Sequence, residues 1–408
     1  MKIKTLFFGS LFLSFSVNAQ LVLPTVLDSS EQKYALSLRS SHDIQASAIQ
    51  QEFVSKFIRG GEISDAMIQS NLGNHKEINR LGREFTNELK FVSPLPFLKT
   101  KEFNLLVECN YSSLFSANYS QDLFRLAFTG NQDFIGDTAN FSGTNFKFID
   151  FQTFGLGLSH KKTKSIISLN AVNVQNYLSS QISDGELIFA GDSSALELNL
   201  AGDFNSTFSQ KFNKGFGLAL NFNLNISVPW KDESTAFFQF QVRNLGFAKV
   251  QQVNRIQLDT TLNYKGFTLE ELVNFDQSVF EGSNWQDTLN VKQDTVSSFI
   301  FLPVMIQFGK VLKTDFDKKI QSFFGVKMYP SLNYVPKVYA GLDYKIKSRF
   351  HAGISAAYGG FGNLRAGIYA NYASEKMNIG IGTEDFYGLI SKKGFGQMVG
   401  INFQWKIQ

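Results

Sequence analysis

From Phe216 to Trp230 the chain alternates without a break. Phe216, Leu218, Leu220, Phe222, Leu224, Ile226, Val228 and Trp230 are large and apolar, and Gly217, Ala219, Asn221, Asn223, Asn225, Ser227 and Pro229 separate them. Side chains of a strand point to opposite faces with period two, so this segment has one apolar face and one small or polar face. A membrane-spanning strand takes roughly 9–11 residues, whereas strands of soluble proteins mostly run about 5–6. A long strand in a soluble sandwich is the rival reading, and it depends on how often the pattern recurs.

It recurs most clearly in the C-terminal third. Val338, Ala340, Leu342, Tyr344 and Ile346 alternate with smaller or polar residues, and Lys347-Ser348 turns the chain. Ala352, Ile354, Ala356 and Tyr358 follow, then the turn Gly359-Gly360-Phe361-Gly362, then Leu364, Ala366, Ile368, Ala370 and Tyr372. Ser374-Glu375 leads into Met377, Ile379 and Ile381, and the last strand carries Val399, Ile401, Phe403, Trp405 and Ile407. Strand, tight turn, strand is an antiparallel meander. Aromatics near strand ends (Tyr344, Tyr358, Tyr372, Trp405) suit the interfacial girdles of a transmembrane barrel. Earlier strands are expected near residues 85–93, 103–113, 145–160, 164–178, 184–192, 194–203, 213–230, 235–249, 253–264, 298–310 and 316–330. The apolar face changes phase near Val242–Leu245, which predicts a bulge. The fold class is therefore all-β: a transmembrane antiparallel meander β-barrel of about 14 strands, with roughly 12–16 as the range.

Two regions break the alternation. Ile49, Phe53 and Phe57 recur every four residues between Ile44 and Ile58, a helical face that Gly60-Gly61 stops. Ser64-Asp65 is placed to start a second short helix ending at Leu72. These helices read as an N-terminal segment, residues 20–84, ahead of a barrel at 85–408, and fit a lumen plug or a periplasmic cap. Residues 265–297 carry Glu270, Glu271, Asp276, Glu281, Asp287 and Asp294 among apolar residues, and read as a long acidic loop.

Composition agrees with a barrel in lipid. Charged residues make up 18% of the chain, against about 25% in ordinary soluble proteins, and Phe numbers 43. Past the N-terminus the longest apolar run is Phe299–Ile306, interrupted by Pro303, so no segment reads as a spanning helix. In lipid only helices and closed barrels satisfy the backbone. Lys2 and Lys4, the apolar stretch Leu6–Val17 and Val17-Asn18-Ala19 read as a signal peptide over residues 1–19, which directs the chain to export and the outer membrane. A net charge of +4 gives no argument for nucleic acid.

Several motifs resemble an uncharacterised Bacteroidota outer-membrane β-barrel family, classed as a domain of unknown function. They are Glu52-Phe53-Val54-Ser55-Lys56-Phe57-Ile58-Arg59-Gly60-Gly61-Glu62-Ile63, Leu81-Gly82, Gln121-Asp122-Leu123-Phe124 and Gly130-Asn131. The resemblance implies a barrel of the fatty-acid-transporter type with an N-terminal segment entering the lumen, and it brings no catalytic residues. Gly400, Phe403 and Trp405 in the last strand look like the signal read by the barrel-assembly machinery, although three residues follow Trp405.

Candidate chemistry is sparse. Gly191-Asp192-Ser193 resembles the nucleophile block of Gly-Asp-Ser esterases, but none of His42, His75, His160 or His351 has an Asp three residues before it. A hairpin turn is the better reading. No two His stand at metal-ligand spacing, and no Walker-type loop is present. Cys109, the single cysteine, sits on the apolar side of its strand and reads as a small hydrophobe. The expected function is a non-enzymatic outer-membrane barrel that binds or passes a small apolar ligand, with outer-membrane lipid and the assembly machinery as its partners and no cofactor or metal. The alternative is a barrel that anchors a protein partner of a secretion, motility or surface complex.

Overall fold

The computed structural model describes residues 26–27, 34–95, 102–191, 196–207, 212–229, 235–264, 292–313 and 318–407. The expected signal peptide, Trp230 and most of the acidic loop lie outside them. The strands are β1 (Val26–Leu27), β2 (Tyr34–Ala46), β3 (Ile78–Pro94), β4 (Phe103–Ser120), β5 (Thr138–Asn140), β6 (Asn145–His160), β7 (Ile166–Phe189), β8 (Leu196–Ser206) and β9 (Gly215–Val228). They continue with β10 (Ala236–Tyr264), β11 (Lys292–Phe301), β12 (Met305–Lys313), β13 (Ile320–Met328), β14 (Val335–Lys347), β15 (Phe350–Gly360), β16 (Arg365–Ala373), β17 (Met377–Thr383) and β18 (Gly396–Ile407). Among the described residues four α-helices interrupt them: α1 (Gln51–Arg59), α2 (Asp65–Leu72), α3 (Gln121–Phe128) and α4 (Phe386–Ile390).

A closed antiparallel barrel of 14 strands results, in the circuit β2, β3, β4, β6, β7, β9, β10, then β12 through β18 and back to β2. The seam runs along β18 and β2, from Gly396↔Gln45 to Ile407↔Tyr34. Closure leaves no edge, which hydrocarbon requires. On the outer face stand side chains that a soluble protein buries, such as Leu169 at 59% exposure, Leu218 at 52% and Ile354 at 61%. Their solvent is lipid.

The first barrel strand lies earlier than expected. β2 pairs with β18 on one side and with β3 on the other, so the barrel starts at Tyr34 rather than at residue 85. The two helices do not precede the barrel; they lie in the β2–β3 connection. Ser40 and His42 share β2's outer face with Leu36, Leu38 and Ile44, which hides the alternation. Ile44 belongs to that strand, and α1 starts at Gln51. α2 starts after Ser64, as the sequence indicates, though Ser64 makes no side-chain cap.

Other boundaries shift through merging or breaking. Residues 164–178 and 184–192 fall in the single 24-residue strand β7, and 235–249 and 253–264 in the 29-residue β10. The predicted bulge is present: register shifts between Val242 and Leu245, where Asn244 takes φ +58°. A second shift lies between Val250 and Val253, with Gln252 at φ +53°. The expected strand at 298–310 is cut in two at residues 302–304, where Pro303 offers no N–H to the ladder. β8 and β9, like β11 and β12, are two pieces of one interrupted strand, since each pair runs along β10 in sequence.

The barrel has unlike ends. At one, Ser348-Arg349 and residues 374–376 join strands tightly, and β2 starts where β18 finishes. At the other lie the helices, the long β7–β8 and β10–β11 extensions and the 329–334 connection. Between them aromatic rings of the inner face are seated on glycines: Phe323 over Gly341, Tyr339 over Gly325, Tyr369 over Gly353 and Phe361 over Gly82, where a methyl group would collide with the ring.

Candidate functional site in the barrel lumen

Register fixes which residues face inward. Arg39 lies opposite Glu88, Asp43 opposite Glu84, and Lys327 opposite Lys337, all on the inner faces of β2, β3, β13 and β14. These charges meet across the tube. Lys327 Nζ donates to both Glu84 carboxylate oxygens at 2.7 Å, and the Tyr329 hydroxyl donates to Glu84 Oε1 at 2.8 Å. Lys337 pairs with Glu384 at 2.7 Å, and Arg365 lies 3.7 Å from Asp43 and 3.9 Å from Glu384. Nearer the short-turn end, Arg243 pairs with Glu88 at 2.7 Å and Lys90 with Glu88 at 2.9 Å. Burying a charge is costly unless it is paired, and most charges of this sector stand within ion-pair distance of an opposite one.

Two cavities open between these groups. One of about 210 Å³ lies toward the short-turn end, between Ala35, Val92, Asn104, Ser159, Gln239 and Gln404, and a smaller one of about 70 Å³ lies above it, between Glu84, Leu114, Met305, Lys327 and Tyr329. Both are lined by Arg39, Glu88, Gln241 and Arg243, so the Arg243–Glu88 pair stands at the partition.

The wall of β6 to β12 is different. Its inner face toward the long-loop end carries Ile149, Phe151, Val172, Val174, Val250, Val253, Ile300 and Met305, all buried in one apolar cluster. The cover comes from the chain itself: Tyr329, Leu332 and Tyr334 of the β13–β14 connection and Phe361 of the next long-loop-end turn pack onto it. Tyr334 stands edge-on to Tyr329 at 5.2 Å and to Phe361 at 4.9 Å between ring centres. At this level the inward-folded β13–β14 connection lies across the apolar wall.

Outside the wall, α1, α2 and α3 share a small core of Phe53, Ile68 and Phe124. His75 packs on Phe124 with ring centres 4.2 Å apart. Its Nδ1 lies 2.7 Å from the Asn71 carbonyl and its Nε2 lies 3.2 Å from the Tyr119 hydroxyl. The neutral ring with its proton on Nδ1 satisfies both contacts. Burial pulls its pKa below the ordinary imidazole value, and the Asn71 carbonyl opposes this.

The residues singled out in the sequence are dispersed. Phe403 and Trp405 lie on the outer face of β18 against Leu38 and Leu36, while Gly400 faces inward beside Ser41. Cys109 is exposed on the lipid side of β4. Gly191 follows β7 in the β7–β8 connection, and Asp192 and Ser193 lie outside the described residues. His42 faces outward beside Arg83, and His160 ends β6 against Thr163 of the turn that follows. His351 faces inward, with Nδ1 2.9 Å from Asp343 Oδ2, and the Tyr369 hydroxyl donates to Asp343 Oδ1 at 2.9 Å. Among the described residues no cluster of His, Cys, Asp and Glu has the makings of a metal site. The inner-face charges Arg39, Glu84, Glu88, Arg243 and Lys327 escaped sequence reasoning. Their alternation with outer apolar residues was the available signal.

No family model matches the chain, and no curated protein sequence is significantly similar to it. Among solved structures it is similar to the deltaS2S3 mutant of the TodX monoaromatic hydrocarbon channel, with TM-score 0.38 and 9% identity over 92% of this chain and 90% of that one. It is also similar to a Pseudomonas aeruginosa FadL homologue, with TM-score 0.35 and 9% identity over 92% and 91%. A third is the transport unit of the Escherichia coli autotransporter AIDA-I, with TM-score 0.27 and 9% identity over 96% and 95%. The likeness stops at the kind of fold.

Proposed function

We propose that this chain is a non-enzymatic outer-membrane β-barrel that binds a small apolar molecule in its lumen and passes it on when the inward-folded connection moves. Barrels of this class keep short turns on the periplasmic side, which puts the helices and long extensions outside the cell. Phe403 and Trp405 at the seam suit recognition by the assembly machinery.

The observation that carries the ligand class is the apolar inner wall of β6 to β12 under Tyr329, Leu332, Tyr334 and Phe361. Lumens of water-filled barrels are polar. A wall of Val172, Val174, Val250, Val253 and Ile300 inside the tube matches an apolar guest that displaces the aromatic cover. The test is photolabelling of the purified barrel with an alkyl diazirine, with and without excess toluene. Toluene-sensitive label in peptides containing residues 172–174, 250–253 or 329–334 is the expected result. Label confined to the lipid-facing side chains, unchanged by toluene, sinks the reading.

A further inference from the structure

Among the described residues, the short-turn level of the lumen carries more cations than carboxylates. The described lining of the 210 Å³ chamber sets Arg39, Lys90, Lys161 and Arg243 against one carboxylate, Glu88, with Lys164, which has an interaction of its own, beside them. That carboxylate is already held by Arg243 at 2.7 Å and Lys90 at 2.9 Å. Glu108, 4.0 Å from Lys90, is a second carboxylate behind the chamber wall, where Asn221 donates to it at 2.6 Å and Ser168 donates as well. Arg39, directly across the β2–β3 ladder from Glu88, makes no hydrogen bond or ion pair with any described residue. Its guanidinium is attracted by Glu88 but hydrogen-bonded to no described residue, and it faces a chamber rich in cations and amide groups.

We propose that this chamber binds a small hydrophilic oxyanion of the phosphate type, with Arg39 as the principal ligand. A guanidinium presents a planar fork of donors that fits two oxygens of such an anion, while the lysines act as point charges around it. The low-dielectric wall of protein and lipid concentrates the field of these cations in the chamber. The volume is more than ten times the roughly 10–15 Å³ that one ordered water needs, so a hydrated anion fits. Lys161 lies in the exposed turn after β6, which places the entrance at the short-turn end. This site is separate from the apolar wall and does not depend on the apolar-ligand reading.

The test is titration of the purified, detergent-solubilised full chain with inorganic phosphate in a chloride buffer, followed by calorimetry, with sulfate as competitor. Saturable binding at one site, displaced by sulfate, is expected. Arg39→Gln should weaken it by about tenfold or more, as loss of a charge-assisted contact does. The pair Lys161→Gln and Lys164→Gln, in and beside the turn, should weaken it by about threefold or more through lost attraction alone. Lys147→Gln, whose Nζ donates to the Ser331 carbonyl at the opposite end, should leave it unchanged. Retention of heat-modifiable migration reports that each variant is folded, and the lysine pair decides the matter if Arg39→Gln is not. No saturable phosphate binding by the unaltered chain overturns the proposal. So does binding that Lys147→Gln weakens as much as the lumen substitutions do. If phosphate binds while toluene leaves the photolabel unchanged, the anion site stands and the apolar reading falls.

Discussion

The two sides of the lumen wall are built on opposite principles. From β13 through β18 and on to β4, most strands are regular and the inner face is charged, with rings laid on glycines. From β7 to β12 the strands are very long, bulged at two places along β10 and broken twice, and the inner face toward the long-loop end is apolar. Ion pairs and hydrogen bonds need partners placed to within tenths of an ångström, and a regular ladder supplies that placement. Apolar packing is non-directional, so it tolerates shifted registers and interrupted strands. Irregular wall and apolar lining go together for this reason.

Four tests bear on that contrast. The largest effect falls on the frame both sides share. Deleting Gly400–Gln408 strips β18 of most of its pairs with β17 and β2 and exposes two edges. Each unsatisfied backbone group in hydrocarbon costs several kcal/mol, so no inserted barrel should remain. Fractionation checks this, and a protease-resistant, heat-modifiable species in the membrane would contradict it.

Next, the two linings should differ in their tolerance. Glu84→Ala leaves Lys327 buried without its carboxylate and should cost about 3–5 kcal/mol, the usual cost of breaking a buried pair. Met305→Leu in the apolar cluster should cost less than about 1.5 kcal/mol, because shape changes little. Urea unfolding in lipid vesicles measures both, and equal losses would erase the distinction. On β9, Phe222 faces lipid and Asn223 lines the larger cavity. Phe222→Arg should cost roughly 2–4 kcal/mol if it lies near the midplane, and Asn223→Arg far less. Matching losses of heat-modifiable barrel would mean that the faces are assigned wrongly.

The smallest effect is local. His75 is held neutral by burial, so its folded pKa lies below its unfolded value of about 6.5. Its contribution is therefore complete above that value and is lost as pH falls through the folded pKa. Limited proteolysis of the α1–α3 cluster should accelerate on acidification and should do so less in His75→Gln. An acid response identical in the two proteins would remove His75 from the account.

Local periodicity made much of the wall legible. The faces of β9, the C-terminal hairpins, the bulge at Val242, the outward Cys109 and the start of α2 all depend on neighbours in sequence. β2 was missed because Ser40 and His42 interrupt its outer face, and the end of β8 at Ser206 and the break at 302–304 divide strands in ways alternation does not reveal. The site itself was mostly hidden. Lys327 meets Glu84 across 243 positions, and no short-range spacing announces such a pair. The His351–Asp343 contact was within reach, because the predicted turn at Lys347-Ser348 already puts both residues on the inner face of one hairpin.

The same long spans govern time as well as strength. Gln45 bonds Asp385 across 340 positions, Asn363 bonds the Ser47 carbonyl across 316, and Phe361 rests on Gly82. Such contacts come together only when the ring is nearly closed, after the costly ordering of the intervening chain. Interactions formed that late lie on the native side of the barrier. They do little for the rate of insertion and much for the rate of escape. The cross-lumen ties therefore act as a latch: weakening Glu84–Lys327 should leave assembly at its usual pace and shorten the lifetime of the finished barrel.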